Sequence, residues 1–177
     1  MAAAGLHPLV EQVAARQLAT LKIIYLVLGG LVMAVLVVTL VLGDPLGPDA
    51  SAGLWWLEAL LAGMSLILLA LVVPLARRRL LGTARLRDAD AQELARVGLP
   101  EGLDLRIGRQ AIYLTRYTAG CVISWGLCVA VALYGLVARM MGASGLQAGL
   151  FFAAAAFVLI LLPPQRARMR SALEEFL

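Results

Sequence analysis

The feature that most restricts this chain is the length of its uncharged runs. Residues 23–42, 117–138 and 146–162 carry no charge, and 54–75 carries a single one, Glu58. A helix of about 20 apolar residues crosses the ~30 Å hydrocarbon layer of a bilayer. Four such runs, the last the shortest, point to an all-α integral membrane protein with four transmembrane helices. Composition agrees: 62% of the residues are hydrophobic but only 6% aromatic, which is unlike a soluble core. The first run reads as a retained helix and not a cleaved signal, because Glu11 precedes it and "GDPLGPDA" follows it.

Two of the runs end alike. "LVVPLARRRLL" (71–81) and "ILLPPQRARMR" (160–170) each pass from apolar residues through proline into arginine. Basic residues are retained on the cytoplasmic side of a membrane. Arg16 and Lys22 precede the first run, and nine arginines from Arg77 to Arg116 fill the segment between the second and third. Arg166, Arg168 and Arg170 follow the fourth. Only Arg139 falls on the other side, at a helix end where its stem can snorkel. The first outer loop holds Asp44 and Asp49 and no base. Both termini and the central segment are therefore expected in the cytoplasm. Arginine outnumbers the lone Lys22, which reads as a GC-rich genome and places the chain in a bacterial inner membrane.

The spans then pair as two tandem hairpins, 23–75 and 117–162. They are flanked by an entry segment (1–22), an Arg-rich linker (76–116) and a tail (163–177). Pro74 aligns with Pro163, Arg77 with Arg166 and Arg79 with Arg168; Arg16-Gln17 loosely matches Arg109-Gln110. This is the pattern of a parallel repeat about an axis along the membrane normal. Flanking by positive charge alone would also make unrelated hairpins look alike, and both readings stand. The entry segment has apolar residues at helical spacing, from Leu6 to Leu21, opposite Glu11, Gln12, Arg16 and Gln17. It is either an amphipathic helix on the membrane surface or an extension of the first span. In the linker, Asp90 and Glu93 have capping-box spacing with Gly98 as a stop, and "LDLRI" (103–107) alternates too briefly to define a strand.

Lipid gives helices no hydrophobic reason to associate, so close packing relies on small residues. The third span offers Gly120, Ser124, Cys128 and Gly135 along one stripe; the fourth offers Gly145, Gly149, Ala153 and Ala156. These stripes are expected to face each other or a neighbouring protomer. Cys121 and Cys128 share a face but lie about 10 Å apart along a helix, too far to bond, and read as small apolar filler.

Few residues suggest chemistry. His7 is the only histidine, so neither a nucleophilic triad nor a histidine metal site is available from this chain alone. There is no phosphate-binding loop or dinucleotide fingerprint, and the basic balance of +4 comes with no nucleic-acid motif. No cofactor is expected. Glu58 is the one carboxylate in a span and a candidate ion site, though beside Trp55 and Trp56 it also reads as an interfacial helix-start acid. Arg77, Arg78, Arg79, Arg166, Arg168 and Arg170 are candidates for contact with lipid headgroups or an acidic partner. In outline the tandem hairpins resemble the duplicated four-helix proteolipid subunits of rotary ATPases. That family's glycine-rich GxGxGxG helix is missing, and the fourth span has no acid, so no residue role is carried over. The expected function is a non-enzymatic membrane subunit that oligomerises or supports a larger complex, with membrane lipids as partners. A small ion channel or ring using Glu58 is the alternative.

Overall fold

The computed structural model describes residues 8–41, 55–81 and 105–174, and among them every regular element is helical. Helix α1 runs Pro8–Val41, 34 residues without a break. Pro8 suits the first turn, where its missing N–H would be unpaired anyway, and Glu11 complements the positive end of the helix dipole. At 1.5 Å per residue α1 is about 51 Å long, well beyond a ~30 Å hydrocarbon layer. From Pro8 onward, then, the entry segment is an extension of the first span and not a separate helix lying on the surface.

The second rod consists of α2 (Trp55–Ile67), a π-helical segment (Leu68–Val72) and α3 (Val73–Leu81). Pro74 gives the physical reason for the π segment. A proline ring clashes with the carbonyl four residues back, here Ala70, and cannot bond to it. Widening the preceding turn relieves the clash, and the Val73 N–H reaches back five residues to the Leu68 carbonyl.

Helix α4 (Leu105–Met140) is 36 residues long and continuous, so the later part of the expected linker, including the end of "LDLRI", is its first turns. Helix α5 (Gly145–Leu161) has 17 residues, and α6 (Arg166–Glu174) closes the described chain. The short helix expected around Asp90 and Glu93, and the loop with Asp44 and Asp49, lie outside the described residues. Among the described residues, three stretches are long and apolar enough to cross a membrane: Val10–Val41, Ala59–Arg78 and Arg106–Met140. Helix α5 is apolar but shorter.

The turn between α4 and α5 is specified at both ends. Gly142 takes φ 98°, a left-handed conformation that favours glycine. The Ala143 N–H bonds the Ala138 carbonyl at 3.0 Å and the Gly142 N–H bonds the Arg139 carbonyl at 3.1 Å, a Schellman closure of α4. Ser144 then caps α5: its hydroxyl accepts from the Gln147 N–H, and its own N–H donates to the Gln147 side chain.

Helix α4 is the axis of the molecule. Helices α1, α5 and α3 all pack on it, and α1 and the second rod lean mainly on α4 and not on each other. Trp125, Cys128, Val131 and Ala132 of α4 are covered by Leu21 of α1 and by Ala148 and Ala155 of α5, all of them inaccessible. The outward faces are apolar as well: Leu26, Leu66 and Ile160 are each 70% exposed. In lipid, hydroxyls must be satisfied within the protein. Thr39, Ser65 and Ser124 each donate to the carbonyl four residues back, at 2.7–2.8 Å.

Candidate functional site

The most elaborated region lies where the chain leaves α5. Pro163 and Pro164 have no N–H, so the carbonyls of Leu159 and Ile160 lose their ordinary partners four residues on. Neighbouring helices donate into this break, one of them to Leu159 itself. The Tyr25 hydroxyl of α1 donates to the Leu159 carbonyl at 3.1 Å, which also accepts the Leu162 N–H at 3.1 Å. The Trp125 indole of α4 donates to the Leu162 carbonyl at 2.9 Å. The two rings meet edge-on, with centroids 5.2 Å apart and planes at 65°. One step further, the Tyr117 hydroxyl accepts from the Gln165 N–H at 3.2 Å and donates to its carbonyl at 3.4 Å. The exit of α5 is thus stapled to α1 and α4 by three aromatic side chains whose polar tips all land on its backbone.

The staple folds α6 back against the ends of α1 and α4. Val10, Ala14 and Leu18 of α1 and Tyr113 and Leu114 of α4 form one cluster with Met169, Ala172 and Leu173 of α6. The Gln110 amide, itself buried, donates to the Leu173 carbonyl at 3.3 Å. The overhang of the two long helices is therefore a small helical bundle of its own, continuous with the core below. Neither the staple nor this bundle is apparent from hydropathy. The consecutive prolines were the available signal, because they leave carbonyls that need donors from elsewhere.

The arginines border this end. Arg77 is half-buried on α3, and its Nε has no hydrogen-bond partner among the described residues; Arg78 is exposed. Arg166 and Arg170 are exposed on α6, and Arg170 pairs with Glu174 at 3.1 Å. The side chains of Arg79, Arg168 and Glu58 fall outside the described residues, although Glu58 belongs to the first turn of α2. Arg139, at the opposite end, is covered and donates to the Ala143 carbonyl at 2.9 Å.

The two small-residue stripes are placed differently. Gly120, Ser124, Cys128 and Gly135 are buried along α4. A Cβ on Gly135 would lie 2.9 Å from the Phe151 Cβ and 3.1 Å from the Ala148 carbonyl oxygen, so α4 and α5 meet backbone to backbone there. The buried face of α5 is Ala148, Phe152, Ala155 and Leu159. Gly145 and Ala153 are exposed, Gly149 and Ala156 half-exposed, and a Cβ on either glycine would touch nothing within 4 Å. One residue of offset turns a helical stripe by about 100°. The α5 stripe therefore does not meet the α4 stripe and faces away from this chain's own packing. Both cysteines are buried thiols outside any disulfide, and no group of three potential metal ligands forms among the described residues. Compared with protein-family models, with curated proteins and with solved structures, the chain matches none.

Proposed function

We propose that this chain is a non-enzymatic integral membrane subunit that associates through its helices, with copies of itself or within a larger membrane assembly. The observation that carries this reading is the outward stripe of Gly145, Gly149, Ala153 and Ala156. It is a smooth track on an apolar helix, exposed or half-exposed among the described residues, and small residues at this spacing let helix backbones approach closely in lipid. The bundle at the termini end, bordered by Arg77, Arg78, Arg166 and Arg170, gives a second surface for anionic headgroups or an acidic partner.

In this reading α5 is the fourth span. Its 17 residues are at the lower limit for crossing. The termini and the arginines lie on the cytoplasmic side of a bacterial inner membrane, by the charge asymmetry of the flanks. Each hairpin opens with a long helix that overhangs its span, α1 with 34 residues and α4 with 36, which supports a parallel repeat. Thiol reagents applied to sealed vesicles test the orientation: single cysteines at Ala15 and Ser171 should be protected from outside and one at Gly145 labelled. The opposite pattern would overturn it.

The function test is native mass spectrometry after mild extraction from the host membrane. A ladder of identical chains, or a fixed ratio with other proteins, is the expected result, and Gly149→Leu should dissolve it without unfolding the protein. A monomer in every mild detergent would refute the proposal.

A further inference from the structure

One turn before Arg77, Val73 is inaccessible against α4, and Ala76 and Arg77 continue that packed face, each half-buried. Leu71, Pro74, Leu75 and Arg78 point outward and are exposed. The Arg77 side chain therefore starts from the seam between α3 and α4 and not from the outer face. Its Nε is shut off from solvent and has no hydrogen-bond partner among the described residues. No described acid comes to it either. Helices α3, α4 and α5 contain none, Glu11 is exposed on α1, and Glu174 is paired with Arg170.

A guanidinium cannot shed its proton to escape this setting. A charged donor withdrawn from water and left unpaired costs more than a neutral one. The missing partner is an anion, and the place says which kind. Arg77 lies within electrostatic range of the Tyr117 hydroxyl. That hydroxyl also takes the Gln165 N–H, just beyond Pro163 and Pro164. The guanidinium thus stands level with the exit of α5, next to the exposed apolar Leu71, Leu75, Ile160 and Leu161. This is a border between hydrocarbon and headgroups, where phosphate is the abundant anion and the guanidinium fork matches two of its oxygens.

We infer that Arg77 binds the phosphate of an anionic phospholipid, at the point where α3 leaves the hydrocarbon. The inference deepens the second surface proposed above and rests on that arginine-bearing end lying at the headgroups. It needs no association between helices. The Gly149→Leu chain should bind the same lipid, so this site and the helix-association reading fail separately.

The test is native mass spectrometry of the full chain in mild detergent, given equal amounts of dioleoyl phosphatidylglycerol and dioleoyl phosphatidylcholine. The wild type should carry the anionic lipid in about ten-fold preference, the size of one charge-assisted contact. Arg77→Gln should show no preference, and Arg78→Gln, one position on and exposed, should keep it. Stability separates this site from a structural role. Stripped of lipid, Arg77→Gln should melt no lower than the wild type, and phosphatidylglycerol should raise the melting temperature of the wild type alone. No preference in the wild type, or an equal one in Arg77→Gln, would overturn the site. So would a stripped Arg77→Gln chain that melts lower or fails to fold, because the chain's own groups would then hold the arginine. Equal loss in Arg78→Gln would replace the site with a diffuse basic surface. Displacement of the lipid by excess inorganic phosphate would make free phosphate the ligand and overturn the lipid.

Discussion

The α4–α5 pair and the pair formed by α1 and the second rod are held together by different means. The α4–α5 pair is joined by a fully hydrogen-bonded turn and meets through Gly135, with Phe151 and the Ala148 carbonyl at the limit of contact. The α1 and α2–α3 rods follow one another in sequence, yet each leans on α4. In the second rod Gly63 faces open space. One hairpin is thus a packed unit, and the other is two separate rods against a common post. Without a hydrophobic drive between helices, only surfaces that fit closely hold each other, and among the described residues α1 and the second rod meet mainly through α4.

Paired glycine substitutions should break this distinction if it is wrong. Gly135→Leu forces a side chain into backbone and Cβ atoms that cannot yield, and should cost about 3 kcal/mol, read as a large fall in melting temperature in detergent. Gly63→Leu enters open space and replaces a poor helix former, so stability should hold or rise by up to about 1 kcal/mol. Equal losses at both sites would mean that the first hairpin is packed as tightly as the second.

A smaller effect sharpens the comparison along the membrane normal. Trp125→Phe keeps the ring but loses the donor to Leu162, and Tyr25→Phe loses the donor to Leu159. Trp125→Phe should cost about 1–2 kcal/mol, since the Leu162 carbonyl is left without its donor, and Tyr25→Phe less, about 0.5–1 kcal/mol, because the Leu159 carbonyl keeps the Leu162 N–H. Hydrogen exchange should rise from Leu159 through α6 and stay unchanged at the α4–α5 turn. Exchange rising at both ends together would show that α4 and α5 open as one unit and that the staple is no separate element.

The sequence revealed some of this and concealed the rest for identifiable reasons. Apolar runs of spanning length are visible because nothing else tolerates them. Three of the four runs correspond to helices long enough to cross. The overhang of α4 was read as linker because Arg106, Arg109 and Arg116 signal water, and water does not end a helix whose other face is covered by Met169 and Leu173. The buried face of α5 was hidden for the opposite reason. In "GLFFAAAAFVLIL" every position is apolar, so periodicity offers no contrast between Ala153, exposed, and Ala155, inaccessible. The aromatic staple joins residues 134, 37 and 48 positions apart, and no local pattern encodes such pairings.

The bond from Tyr25 to Leu159 also bears on how the molecule is made. The donor lies in α1 and the acceptor near the end of α5, 134 positions later. Tyr25 of α1 and Trp125 of α4 meet their carbonyls only once the end of α5 is in place. The bond thus forms only after the 134 intervening positions have been made, and long separation between partners slows such steps. A chain cut off before Leu159 would leave the Tyr25 hydroxyl and the Trp125 indole without these acceptors.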